Sequence, residues 1–178
     1  MLKPIDFKRN FLSLMNEAQS VTGFPVSESL SLHCNRYEKV TEKDSFTSEQ
    51  WDNLVKVASI IKANEARLDM SCWHQTKGCG TCHCIAGWAE CLSRGDTNYL
   101  SPKEEPLNLA RSALSIYSEP FFWVTRSNLF SPLQGLAERL VMKWFIDPIL
   151  EEAREDSYVL STEFTKFLEE TRKGVTFV

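Results

Sequence analysis

Nowhere does this chain of 178 residues string together the ~20 apolar residues that a membrane-spanning helix needs, so no span is expected. A basic stripe is missing as well. The 20 lysines and arginines are interspersed with 24 acidic residues for a net charge of −4, which offers nothing to a phosphate backbone. Lys8-Arg9 reads instead as part of a solvated helix face. Glycine and proline number only seven each, too few for a linker-rich or disordered chain, and the absence of an internal repeat excludes a solenoid. Met1 to Arg9 lacks the apolar central run and the small-residue cleavage site of a signal peptide. The expectation is therefore a cytoplasmic protein with reduced thiols.

Large apolar groups are present in quantity. With 43% hydrophobic residues, five tryptophans and eleven phenylalanines, the chain can bury one substantial core. The expected architecture is a mainly α, single compact domain over residues 1–178, with six or seven helices and room for one or two short strands. Residues 6–18 read as a first helix with Asp6 as its N-cap and Phe7, Phe11, Leu14, Met15 and Ala18 recurring. The next, 47–63, has Thr47 and Gln50 at capping-box spacing and Phe46 and Trp51 at the two positions of a hydrophobic staple. Its Trp51, Leu54, Val55, Ala58 and Ile61 fall on one face. Pro106 suits the first turn of a helix reaching Tyr117, and Ser131-Pro132 that of another over 132–146, which Asp147-Pro148 should stop before starting the next. A last helix spans about 162–172, with Phe164, Phe167 and Leu168 on one side and Gly174 after it. The runs 121–124 and 175–178 are short candidate strands.

Five of the six cysteines and two of the three histidines fall within residues 68–92, LDMSCWHQTKGCGTCHCIAGWAECL. Thr81 has the character of an N-cap and Gly80 relaxes the turn before it, so a helix is expected from Cys82 to Leu92, ended by Ser93-Arg94-Gly95-Asp96. On that helix Cys84, Trp88 and Cys91 share an inward face, which makes Cys84 and Cys91 small buried hydrophobes in the simplest reading. Gly87 implies the close approach of another backbone or a tryptophan.

Several chemistries can be written on this stretch. Zinc needs four ligands converging tetrahedrally, and Cys72, His74, Cys79, Cys82 and His83 are the candidates, with His33 or Cys34 as a distant supplement. Two well-spaced Cys-x-x-Cys pairs are absent, so the ingredients match but no known knuckle does. For redox chemistry, Cys79-Gly80-Thr81-Cys82 is a Cys-x-x-Cys just before a helix whose dipole would favour a thiolate, though without the βαβ context of a thioredoxin-type site. Cys79-Gly80-Thr81-Cys82-His83 also spells a c-type haem attachment sequence. That reading ranks last, because attachment needs an exported chain. A Cys/His nucleophile near His74 has no recognisable pocket or oxyanion hole beside it. The acidic run Glu151-Glu152 to Glu155-Asp156 reads as a solvated helix face.

Trp73-His74, followed by Cys79-Gly80-Thr81-x-x-Cys84-x-Ala86-Gly87-Trp88-Ala89, resembles a motif of an uncharacterised family of small bacterial and phage proteins. The resemblance extends over about residues 47–146, through Leu129-Phe130, Ala137-Glu138-Arg139 and Trp144-Phe145, and is firmest over 73–89. No activity comes with that family. Its recurring positions match Cys79, Thr81 and Cys84, whereas Cys82 often gives way to a hydroxyl residue and His83 varies. The resemblance thus makes Cys79 and Cys84 the pair of interest, whether to pack beneath Trp88, to share a metal or to oxidise together, and implies that a haem or Cys-x-x-Cys function would belong to this chain alone.

The functional expectation is a non-enzymatic interaction or regulatory protein with a protein partner, and no nucleic acid or membrane as partner. The Cys/His cluster serves as a structural element able to hold zinc. The alternative is a thiol-redox enzyme or sensor using Cys79 with Cys82 or Cys84.

Overall fold

The computed structural model describes residues 7–22, 48–69, 74–77, 80–95 and 135–173. Among them the protein is mainly α, with one two-stranded antiparallel hairpin. The elements in order are α1 (Phe7–Thr22), α2 (Ser48–Ala63), a 3-10 turn (Glu65–Arg67), β1 (His74–Lys77), β2 (Gly80–His83), α3 (Ile85–Arg94), α4 (Leu136–Val141), a π-helical stretch (Met142–Ile146), α5 (Asp147–Glu155) and α6 (Thr162–Lys173). No described helix is long and apolar enough to cross a membrane.

Helix α2 organises the core. The expected face of Trp51, Leu54, Val55, Ala58 and Ile61 is buried, and so are Val57 and Ile60 on another side. A helix with one apolar stripe needs one neighbour, whereas α2 is enclosed by α3, the π stretch, α5 and α6. Its C-terminal end is tied down by Asn64. The Asn64 side-chain amide donates to Ile60 O at 2.9 Å and to Thr171 Oγ1 at 3.1 Å, and the Thr171 hydroxyl donates to Leu168 O at 2.7 Å. This chain of bonds joins the end of α2 to α6.

The expected break at Asp147-Pro148 does not occur. The backbone stays helical from α4 through α5, with Asp147 at φ −61°, ψ −42° although a proline follows it. In a regular helix the Pro148 ring would meet the carbonyl of Trp144 and one hydrogen bond would be lost. The π stretch widens the backbone just ahead of the proline, and Asp147 N–H reaches back five residues to Met142 O. Packing holds this arrangement together: Leu140, Val141, Phe145, Ile146, Ile149 and Ala153 all lie in the core.

Helix α5 closes in a left-handed Ser157, φ 56°. Tyr158 N–H bonds Ala153 O at 2.8 Å and Ser157 N–H bonds Arg154 O at 3.1 Å, which is the double bond of a Schellman motif. Ser161 then caps α6, its hydroxyl accepting from Phe164 N–H at 3.1 Å. Of the acidic run, Glu151, Glu155 and Asp156 are exposed and Glu152 is half-buried.

Three sets of side-chain bonds link these helices nearer the surface. Lys143 and the indole N–H of Trp144 both donate to Glu17 Oε2 at 2.8 Å, fastening α1 to the π stretch beside the buried Leu14 and Ala18. These bonds hold the Glu17 carboxyl below the usual glutamate range. Lys62 bridges Glu65 at 2.8 Å and Asp147 at 3.0 Å, which raises its ammonium pKa. The Tyr158 hydroxyl donates to Asp52, and burial together with that bond pushes the phenol well above its ordinary value.

The expected helix 106–117, the candidate strands 121–124 and 175–178, and the signals at Asp6, Phe46, Thr47, Ser131-Pro132 and Gly174 lie outside the described residues.

Candidate functional site

The cysteine-rich stretch folds first as a hairpin. His74 pairs with His83, Gln75 with Cys82, Thr76 with Thr81, and Lys77 with Gly80. The other edge of β2 is occupied too. Leu68 forms a parallel bridge with His83, and Asp69 N–H donates to His83 O at 3.0 Å. The expectation of a helix from Cys82 with Thr81 as its cap is thus corrected. These residues form a strand because pairing on both edges satisfies backbone groups that a first helical turn would leave open. Helix α3 begins three residues later, at Ile85, with Cys84 as an extended N-cap residue at φ −77°, ψ 179° that makes no side-chain cap bond. Its end is the expected one. Gly95 at φ 66° returns its N–H to Cys91 O and Leu92 O.

Successive side chains of a strand leave on opposite faces, and both faces of β2 are covered. Thr81, Cys82 and His83 are all buried, His83 completely. Cys84, Trp88 and Cys91 reach 0% exposure and form the inward face read from their spacing. Cys82, Cys84 and Cys91 are thiols. None presents its sulfur to solvent, which a thiol acting on another molecule must do.

Trp88 is the centre of this junction. The His83 ring meets it edge-on, with centroids 4.6 Å apart and planes at 70°. The Arg67 guanidinium lies 5.1 Å from the indole centroid and donates through Nε to Thr81 O at 2.7 Å. Arg67 therefore fastens the 3-10 turn to β2 while stacking its charge on an aromatic face. Cys91 Sγ lies 3.8 Å from Nδ1 and 3.7 Å from Nε2 of His83. A sulfur so nearly equidistant from both nitrogens sits beside the ring, off the direction in which either nitrogen would accept or donate. The Trp88 indole N–H has no hydrogen-bond partner among the described residues.

Charge is buried on the same elements. Arg67, Asp69 and Glu90 are 3%, 5% and 0% exposed, so these groups are solvated by protein alone. Arg94, at the rim, approaches Glu90 Oε1 at 3.3 Å. Sequence reasoning passed over all three buried groups. Glu90 left a trace, since it follows Gly87 by one turn and is flanked by Ala89 and Cys91, and a glycine in that position already implied close approach. Arg67 and Asp69, just past a helix end, carried no comparable mark.

Of the candidate metal ligands, Cys82 and His83 lie on β2, and His74 stands opposite His83 on β1. Cys72 and Cys79 lie outside the described residues, as do His33 and Cys34. Of the redox candidates, Cys82 is on the strand and Cys84 at the N-cap of α3. Among the described residues no group of three Cys, His, Asp or Glu side chains is placed to hold a metal ion. Compared with protein-family models, with curated proteins and with solved structures, the chain matches none.

Proposed function

We propose that this chain is a non-enzymatic interaction or regulatory protein of bacterial or phage type, in which the Cys/His stretch is a folding element. One observation carries the proposal. The thiols of Cys82, Cys84 and Cys91 and the imidazole of His83 are interior groups, at most 2% exposed; Cys84 and Cys91 belong to the same core cluster as Trp88, and the His83 ring meets its indole edge-on. Groups so placed order a hairpin against a helix; they do not meet a substrate. The partner is a protein, in keeping with a chain that has no basic stripe and no described helix able to cross a membrane.

The zinc part of the proposal draws on Cys72, His74 and Cys79 together with one of Cys82 and His83. Both cannot serve the same ion while β2 keeps its form, because neighbouring strand residues diverge to opposite faces.

Thiol labelling of the native protein, followed by mass spectrometry, tests the reading. Cys82, Cys84 and Cys91 should stay unmodified until urea unfolds the chain. Reversible oxidation of Cys82 or Cys84 in the folded protein under mild oxidant would overturn it in favour of a thiol-redox function. Metal analysis of protein purified without a histidine tag decides the zinc part separately. A metal-free, fully folded protein removes zinc and leaves the structural role intact.

A further inference from the structure

We draw no further inference here: the strongest candidate, the fully buried pair of His83 and Cys91 at the junction of β2 and α3, places its sulfur 3.8 and 3.7 Å from the two ring nitrogens and so on the lone-pair axis of neither, and nothing else among the described residues points to a metal or a substrate there.

Discussion

The junction around Trp88 and the contact of α1 with the π stretch both join segments distant in sequence through polar groups, and they do so in opposite ways. At the junction, Arg67 and His83 are buried, their partners include backbone carbonyls and an indole face, and each contact has one geometry. At α1, Glu17 and Lys143 meet where both remain partly exposed, so water can replace either partner. Removing a buried partner strands a polar group away from solvent, whereas removing an exposed one returns its partner to water. The junction should therefore govern whether the chain folds, and the outer pair should only adjust how firmly α1 is held.

The largest break in this comparison is Trp88→Ala. It should cost about 3–5 kcal/mol by opening a cavity beneath Arg67 and His83. Urea denaturation would measure the loss, which is a large part of a stability of about 5–15 kcal/mol for an ordinary domain. Arg67→Met keeps the aliphatic stem but leaves the Thr81 carbonyl without its charged donor. A loss of about 2–3 kcal/mol is expected, with a changed near-ultraviolet dichroism from Trp88.

Glu17→Gln tests the other side of the comparison and should cost at most about 1 kcal/mol, less at high salt. Its pH dependence has a definite sign. The folded carboxyl is held below its ordinary pKa by Lys143 and Trp144, so its contribution is present above the ordinary glutamate range and is lost as pH falls through the depressed value. Wild type and Glu17→Gln should accordingly converge in acid when their denaturation midpoints are compared. A cost equal to that of Arg67→Met would erase the distinction between the two regions. The smallest effect is expected at Ser157, where glycine relieves a left-handed backbone but makes the unfolded chain more flexible. Ser157→Gly should raise stability by about 0.5 kcal/mol or leave it unchanged, as read from the thermal midpoint.

How far the site could be read beforehand differs residue by residue. The inward face of Cys84, Trp88 and Cys91 was legible because helical spacing puts positions four and seven apart on one side whatever lies opposite. The strand Gly80–His83 was not legible. Thr81 has the chemistry of an N-cap, and the partners that turned it into a strand residue, Thr76 across the hairpin and Arg67 at its carbonyl, lie elsewhere in the chain. At Asp147-Pro148 a strong local stop signal was overridden when a π stretch made room for the ring and the flanking Phe145, Ile146 and Ile149 gained burial. The burial of Arg67 and Asp69 carried no signal and that of Glu90 only the trace left by Gly87, since residue type favours exposure and only a neighbouring element can reverse it.

By itself the sequence determined the mainly α character, the position and inner face of α2, the stop of α3 at Gly95, the apolar side of α6 and the interior character of Cys84 and Cys91. All of these follow from spacing and capping within one turn or a few. Only the tertiary structure decided that Cys82 and His83 belong to a strand, that α4 runs on into α5, that Arg67 lies over Trp88, and that Asp69 and Glu90 are buried. Those outcomes depend on which segments meet, and the free energy of pairing both edges of β2 and closing the core outweighed the local preferences of Thr81 and Pro148.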